Sequence, residues 1–249
     1  MKIAICQPSY LPWIGYFDLI DQVEVFVVLD DVQFEKQSWQ QRNRIKTPTG
    51  LRWLTVPVIF RGRLGQLIKD VEIRDNEFWR EHSRAIELNY RRSRFFDTYS
   101  RALTSSVSSA RGGLLVDLNI GLIELLMGLL GIKTSVVFSS TLRQTGKRTE
   151  LLANICRSLG ATQYISPLGS AAYLLEEQDV MLNQGIDVVF HNFEHPEYRQ
   201  LFPPFLPFAS VIDLIFNEGH HSLEILRSGR RDPFVPAHVA ARIEHISAE

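Results

Sequence analysis

Cysteine is scarce in this chain, and no apolar run is long and uncharged enough to predict a membrane span. There are two cysteines among 249 residues. Cys6 lies in the first apolar run and Cys156 in a predicted helix, so we expect both to be small buried side chains. Without a disulfide framework, the sequence favours a reducing, cytoplasmic compartment. The most apolar stretch, residues 112–132, contains Asp117 and Glu124, so it predicts a core helix and no membrane insertion.

The sequence predicts no secretion signal, and its net charge is close to zero. The start of the chain runs from a short apolar segment straight into charged sequence, and we expect no signal peptide. The 27 Lys and Arg are balanced by 28 Asp and Glu, for a net charge of −1, which gives no overall attraction to nucleic acid. Residues 32–97 differ, with fourteen Lys and Arg against eight Asp and Glu. This excess is too weak for a nucleic-acid groove but sufficient for an anionic small-molecule substrate.

Several common catalytic motifs are absent. The sequence has no Gly-x-Ser-x-Gly nucleophile turn, no Cys–His pairing and no glycine fingerprint for dinucleotides. His191 and His195 are four residues apart, but His191 ends a predicted strand and Pro196 follows His195. They therefore do not share a helix face as zinc-binding histidine pairs do. We expect neither a metal nor another cofactor, and structural or substrate-contacting roles for the histidines.

The sequence does contain a regular alternation of apolar runs and amphipathic segments. Strands are predicted over residues 2–6, 23–31, 134–140, 162–166 and 186–193. Helices are predicted over residues 14–22, 76–92, 94–110, 114–130 and 149–159, with Asp75 or Asn76 capping the second and Thr149 the last. This alternation favours an α/β fold, with a mostly parallel sheet and helices on both faces.

Residues 32–75 interrupt the alternation. Two extended segments within residues 43–58 flank Pro48-Thr49-Gly50, which predicts a β-hairpin. No repeat, low-complexity tract or flexible linker divides the chain. We therefore predict one domain over residues 1–249 with a hairpin-rich excursion at 32–75, and a loosely held tail over residues 232–249.

Functional side chains follow the predicted strands, where ligands of open parallel sheets bind. Asp30 and Asp31 end the second strand and are, with His195, the acid–base candidates. Arg42 and Arg44 are the candidate anion clamp. The other candidate binding residues are Gln7, Ser9, Tyr10, Trp13, Gly15, Lys36, Trp39, Asn43, Lys147, Ser166, Gly169, Ser170 and Glu194. Such a mixture of amides, hydroxyls, aromatic rings and guanidinium groups suits a nucleotide or a sugar.

Most of these groups also have a structural interpretation. Asp30 and Asp31 could cap a turn and pair with a nearby arginine. Residues 36–44 could form a solvated loop, although Trp39 among amides and arginines argues against simple exposure. Residues 166–173 are similar to a phosphate cradle at a helix N-terminus, but a tight strand-to-helix turn explains them equally well.

Several blocks of the sequence resemble the WbqC-like proteins. They are QPSYLPWIGYFDLI, VFVVLDDVQFEKQSWQQRNRI, WLTVPV, FEHPEY and SVIDLIFNEG, and the resemblance spans residues 3–220. It implies a cytoplasmic role near activated sugars in bacterial polysaccharide, O-antigen or natural-product biosynthesis. The resemblance further implies transfer of an acyl or aminoacyl group to an amino sugar.

A more distant likeness concerns residues 12–16, Pro-Trp-Ile-Gly-Tyr. They stand where nucleotidylyltransferase-like, Rossmann-like folds carry His-x-Gly-His at the start of the first helix. Trp13 and Tyr16 replace the two histidines, so the likeness does not extend to adenylyl transfer. We expect Gly15 to allow close approach of a ligand, and the segment to form a stacking and hydrogen-bonding wall.

Two functions follow from these observations. The first is a transferase whose anionic ligand is a nucleotide sugar or an acyl donor. The alternative is a non-catalytic module that binds such a nucleotide or sugar, which the missing histidines favour. The sequence is compatible with a homodimer.

Overall fold

A computed structural model describes residues 1–75, 77–109 and 113–247. The strands are β1 (Lys2–Cys6), β2 (Val25–Val28), β3 (Arg42–Thr47), β4 (Gly50–Thr55), β5 (Ser135–Phe138), β6 (Gln163–Ser166) and β7 (Asp187–Phe190). Five of them form one parallel sheet in the order β5-β2-β1-β6-β7. The predicted α/β fold with a parallel sheet is confirmed.

Helices cover both faces of this sheet. They are α1 (Ile14–Asp21), α2 (Phe78–Tyr90), α3 (Phe96–Ser109), α4 (Leu115–Leu130), α5 (Ser139–Leu142), α6 (Thr149–Ser158), α7 (Ala171–Glu176), α8 (Gln178–Leu182), α9 (Val211–Glu218), α10 (Ser222–Ser228) and α11 (Pro236–Ser247). Successive strand residues point to opposite faces. Ala4 and Phe26 accordingly pack into the core formed with α1, α4 and α9, whereas Ile3, Ile5 and Val27 pack with α6, α7 and α8.

The order of the strands reverses between β1 and β6. From β1 the chain proceeds through β2 to β5 at one edge, and β6 then returns to the other side of β1. The helices that follow lie on opposite faces, α1 in one core and α7 in the other. The loops after β1 and β6 therefore diverge, which opens a crevice at the carboxyl ends of these strands.

The excursion contains the predicted hairpin. Strands β3 and β4 pair in antiparallel fashion around the turn at Pro48 and Thr49, and Gly50 closes the turn with a φ of +124°. Ile45 and Leu54 on this hairpin are buried in the same core as α1 and α4. The hairpin is thereby fixed beside the crevice.

The N-termini of α6 and α2 test the two predicted helix caps. Arg148 is the N-cap of α6 and Thr149 is its first helical residue, so the predicted Thr149 cap is wrong. Near the start of α2, the carboxylate of Asp75 accepts a hydrogen bond of 2.8 Å from the backbone N–H of Glu77. The alternative cap, Asn76, lies outside the described residues.

The C-terminal segment is packed onto the sheet rather than loosely held. The backbone of Phe234 exchanges two hydrogen bonds with Phe190 of β7, of 2.8 and 2.9 Å. Val239 on α11 is buried in the core on the α6 and α7 side. Residues 248 and 249 lie outside the part of the chain that is described. None of the helices within the described ranges is long and apolar enough to cross a membrane.

Candidate active site

Two adjoining cavities occupy the crevice at the carboxyl ends of β1 and β6. One has a volume of about 380 Å³ and the other of about 480 Å³, which is in the range of small-molecule sites. Cys6, Ser9, Trp39 and Pro167 line both of them and form a shared wall.

The two cavities differ in chemistry. The first, which we call the apolar chamber, is further lined by Pro12, Trp13, Gly15, Tyr16, Leu19, Asn43, Arg44, His191 and Phe208. The second, which we call the polar chamber, has as its polar lining Gln7, Glu35, Ser38, Gln40, Tyr164, Ser170 and Tyr173, with Gly169 beside them. Nine predicted binding residues thus meet in the crevice: Gln7, Ser9, Trp13, Gly15, Trp39, Asn43, Arg44, Gly169 and Ser170.

Arginine and tryptophan side chains alternate at the mouth of the crevice. The Arg42 guanidinium lies 4.3 Å from the ring centre of Trp53, and the Arg44 guanidinium lies 5.4 Å from the rings of both Trp39 and Trp53. The indoles are half exposed, at 48% for Trp39 and 40% for Trp53. We call these four residues the Arg–Trp mouth. Its flat rings and cations suit a planar base and phosphate oxygens.

The two arginines lack protein counter-ions. Within the described ranges, no carboxylate lies within ion-pair distance of Arg42 or Arg44. The Nε atom of each is buried and has no hydrogen-bond partner in that part of the chain. Guanidinium groups favour bidentate contacts with phosphate or carboxylate. The arrangement is therefore well suited to clasp an anionic ligand.

A histidine oriented by a carboxylate lines the apolar chamber. The Nε2 atom of His191, directly after β7, lies 2.8 Å from Oδ2 of Asp18 on α1. Asp18 is fully buried and also accepts hydrogen bonds from Gln22 and Arg230, of 2.6 and 2.9 Å. An ionised carboxylate only accepts, so Nε2 carries the proton in this pair. In the neutral form of the ring, Nδ1 is unprotonated and can serve as a base.

His195, the histidine predicted to act in acid–base chemistry, lies behind Trp13. Its ring stacks on the Trp13 indole at a centroid distance of 6.1 Å, and its Nδ1 donates to the carbonyl of Pro196 at 3.0 Å. Burial lowers the pKa of His195, which favours the neutral form of the ring. His195 lines neither chamber. Its position supports the wall of the apolar chamber through Trp13.

Asp30 and Asp31 are turned away from both chambers. The Asp30 carboxylate accepts hydrogen bonds from the backbone N–H and hydroxyl of Ser140, of 3.0 and 2.7 Å, and from the hydroxyl of Ser139, at 3.0 Å. Asp31 also faces the Ser139 hydroxyl. These contacts join the end of β2 to the start of α5. The structure thus does not bring the two predicted acid–base carboxylates to the crevice.

Six predicted binding residues line neither chamber: Arg42, which belongs to the Arg–Trp mouth, the buried Ser166, and Tyr10, Lys36, Lys147 and Glu194. Tyr10 is fully buried, and its hydroxyl lies 2.8 Å from Nδ1 of His82 in the core. Glu194 forms a surface ion pair with Arg231 at 2.7 Å. Lys36 lies on the surface over an aromatic ring, and Lys147 is exposed.

The segment after β6, for which the sequence left a phosphate cradle and a tight strand-to-helix turn open, forms a tight turn. A three-residue 3₁₀ turn, Leu168–Ser170, leads into the six-residue helix α7. Ser166 is fully buried, and its hydroxyl bonds the Ser170 hydroxyl at 2.7 Å. Ser166 therefore stabilises the turn from its buried side, whereas Gly169 and Ser170 line the polar chamber.

Hydrogen bonds between the loops hold the crevice in shape. Asn119 on α4 donates from Nδ2 to the carbonyls of Pro8 and Gln40, at 3.2 and 2.7 Å. The Gln40 amide in turn donates to the side chain of Gln7 at 2.8 Å. Asn43 on β3 donates to the carbonyl of Leu11 at 2.8 Å. The walls of both chambers are thus fixed without a ligand, as a preorganised site requires.

Phe208 covers the apolar chamber opposite Trp13. Their rings lie 5.4 Å apart, and Phe208 is 46% exposed. Its φ is +64°, a left-handed conformation that is strained for an aromatic residue. The surrounding structure holds this ring over the chamber at a cost in backbone energy.

Comparison with known proteins identifies the family. The model of the WbqC-like protein family matches residues 7–225. The chain belongs to the WbqC-like family. A protein of Mycobacterium tuberculosis (strain ATCC 25618 / H37Rv) described as uncharacterized protein Rv1507c is 36% identical over 231 residues, which is 92% of this chain and 99% of that protein. No solved structure matches the chain.

Several site residues of this WbqC-like chain were missed from the sequence, among them Glu35, Gln40 and Tyr173 of the polar chamber and the four that follow. His191 directly follows a predicted strand, which was a usable signal. Trp53 could have been found by counting from the hairpin turn, because that register pairs it with Arg44. Asp18 and Phe208 carry no comparable signal, since their roles depend on contacts with distant segments.

Cys6 lies in the shared wall but is a poor nucleophile. Burial raises the pKa of its thiol to about 12, so almost none of it is the reactive thiolate near neutral pH. No three His, Cys, Asp or Glu side chains are arranged to hold a metal ion within the described ranges. The base candidate of this WbqC-like site is therefore His191.

Proposed function

We propose that this WbqC-like protein is a transferase that acts on a nucleotide-linked amino sugar and passes an acyl or aminoacyl group to its amine. One observation carries the proposal. Arg42 and Arg44, two guanidinium groups without a protein counter-ion in the described residues, stand beside Trp39 and Trp53 at the entrance of a crevice walled by His191.

The Arg–Trp mouth would hold the nucleotide part of the substrate. Phosphate oxygens accept charge-assisted hydrogen bonds from guanidinium groups, and these are stronger than neutral ones. The half-exposed indoles of Trp39 and Trp53 offer flat faces on which a base can stack. Phosphates and base would thus be held at the mouth, with the sugar directed inward.

The polar chamber would hold the sugar. Its wall offers the amides of Gln7 and Gln40 and the hydroxyls of Ser170 and Tyr173 as partners for sugar hydroxyls. It also contains the carboxylate of Glu35, which can pair with a protonated amine. An amino sugar therefore finds partners for both its hydroxyls and its amine.

His191 would act as the base. Acyl transfer requires the amine nitrogen to attack a carbonyl carbon and lose a proton as the new bond forms. With Nε2 held by Asp18 at 2.8 Å, the free Nδ1 can take that proton, a contribution of typically about 10²–10⁴ in rate.

We propose that this activity belongs to bacterial polysaccharide, O-antigen or natural-product biosynthesis, as the resemblance to WbqC-like proteins implies. Nucleotide-linked sugars are made and used in the cytoplasm, and we propose the same location for this protein. We likewise propose that the protein forms a homodimer.

Binding and turnover should be measured separately. Purified protein is titrated with UDP-, dTDP- and GDP-linked amino sugars by calorimetry, and each pair of sugar and acyl or aminoacyl thioester is then assayed for the amide product by mass spectrometry. We expect binding of at least one nucleotide sugar and formation of its amide. Tight binding without product across the whole panel would instead support the alternative, a non-catalytic nucleotide- or sugar-binding module.

A further inference from the structure

The two chambers differ in charge as well as in polarity. The lining of the apolar chamber includes the cation Arg44 and no carboxylate, as far as the described residues go. Asp18 lies behind His191, is fully buried and is already occupied by His191, Gln22 and Arg230. Glu35 lies in the polar chamber. A positively charged group in the apolar chamber would therefore have no anionic partner there.

The apolar walls favour a different occupant. Trp13, Tyr16, Leu19 and Phe208 present carbon surface to the cavity, and apolar groups gain free energy on leaving water. The volume of about 380 Å³ is ample for a short branched or linear chain, with Arg44 and His191 at its polar side.

We propose that the apolar chamber binds a neutral aliphatic acyl group and excludes an aminoacyl group. This inference rests on the proposed transferase function. It selects acyl donors over aminoacyl donors. An α-amino group is mostly protonated at pH 7, since its pKa is about 7.7–8.0. Burying it beside Arg44 without an anion costs desolvation, which ring faces and neutral acceptors in the lining offset only in part.

The donor is then an acyl thioester, and the reaction balances without a further reagent. The sugar amine first gives the proton of its ammonium form to Glu35, and the neutral amine then attacks the thioester carbonyl where the two chambers adjoin. The carbon–nitrogen bond forms and the carbon–sulfur bond breaks, with its electron pair leaving on sulfur. His191 accepts the proton from nitrogen and returns it to the thiolate, so that the products are an amide and a thiol.

The test compares two groups of equal shape. Isobutyryl and alanyl differ only by a methyl in place of an ammonium group, and each is attached through an unreactive amide to the same pantetheine carrier. We expect calorimetry at pH 7 to show isobutyryl-pantetheine amide binding at least about 100-fold more tightly. Equal binding, tighter binding of the alanyl form, or no binding of either would overturn the inference.

A charge placed in the wall gives a second, independent readout. Phe208→Glu adds a carboxylate at a half-exposed position of the apolar chamber, and Phe208→Gln is its neutral match. Both variants lose the apolar ring, but only Phe208→Glu adds a charge, so we expect its preference for isobutyryl to be at least about 10-fold lower than that of Phe208→Gln. A preference that is the same in both variants contradicts the electrostatic cause. The wild-type comparison remains decisive if Phe208→Glu fails to fold.

The same titrations separate this inference from the proposed function. If the two amides are discriminated but no nucleotide sugar binds, the chamber assignment stands and the proposed acceptor is wrong. If a nucleotide sugar binds and forms product only with aminoacyl thioesters, the transferase stands and this inference is wrong.

Discussion

The indole of Trp13 lies flat against the backbone of Gly15. A Cβ atom at position 15 would be 2.2 Å from Cη2 of Trp13, far inside van der Waals contact. The sequence suggested that this glycine admits a ligand to the start of α1. The structure gives another reason, which is that the protein's own tryptophan occupies the space and becomes a wall of the apolar chamber.

Gly15→Ala should destabilise the protein by about 1–3 kcal/mol, because the new methyl group displaces the Trp13 ring from a packed position. Gly128→Ala on α4 is the matched control. Nothing lies within 4 Å of a Cβ built at Gly128, so alanine there should stabilise the helix by about 1 kcal/mol. Denaturant unfolding measures both. A Gly15→Ala variant as stable as the wild type would show that Trp13 is not fixed by this contact.

Arg44→Ala should weaken the binding of a nucleotide sugar by about 1.5–3 kcal/mol, roughly 10- to 150-fold, if the guanidinium contacts the phosphates. Arg52→Ala is the control because Arg52 neighbours Trp53 on β4 and therefore points to the opposite face of the hairpin. Calorimetry should show wild-type affinity for Arg52→Ala. Equal affinities of the two variants would show that Arg44 does not contribute to nucleotide-sugar binding.

His191→Gln should lower the transfer rate by about 10²–10⁴ while nucleotide-sugar binding is retained, since the amide can still donate to Asp18 but cannot take a proton. His195→Gln should instead lower the melting temperature, because it removes a ring packed on Trp13, with little change in the rate of the folded enzyme. A large rate loss in His195→Gln alone would return the acid–base role to His195.

Asp30→Asn should act on stability rather than on rate. The substitution weakens charge-assisted hydrogen bonds from Ser139 and Ser140, for an expected loss of about 1–3 kcal/mol. Ser139→Ala should give a similar loss, and the double variant less than the sum, because the two side chains form one network. Unchanged stability with a rate loss of 10² or more would mean that Asp30 is a catalytic base.

His82 should make the fold sensitive to acid. Burial lowers the pKa of His82 from 6.5 to about 4, so the folded state keeps the ring neutral while the unfolded chain binds a proton below pH 6.5. The resulting stability is present above pH 6.5, is lost as the pH falls towards 4, and amounts to about 3 kcal/mol. Urea unfolding of the wild type and His82→Gln at pH 7, 5.5 and 4 measures it. Parallel pH profiles would contradict this role.

The hydrophobic pattern of the sequence determined the architecture. Short β-branched runs such as residues 25–28 can only be buried on both sides, and a helix of period 3.6 between them forces parallel pairing. The five strands and the hairpin at Pro48 and Thr49 were therefore predictable. The same pattern placed Ser9 after β1, and Trp39 and Arg44 in the excursion after β2, beside the crevice that the switch in strand order opens.

Only the tertiary structure decided which of these side chains face the crevice. A residue at a strand end can point into the core, as Tyr10 does towards His82, or bind a neighbouring loop, as Asp30 does with Ser139. Sequence position does not distinguish these outcomes, because they depend on partners 72 and 109 residues away. His191 is oriented by Asp18, 173 residues distant. Such a pair exists only once the sheet brings β7 and α1 together.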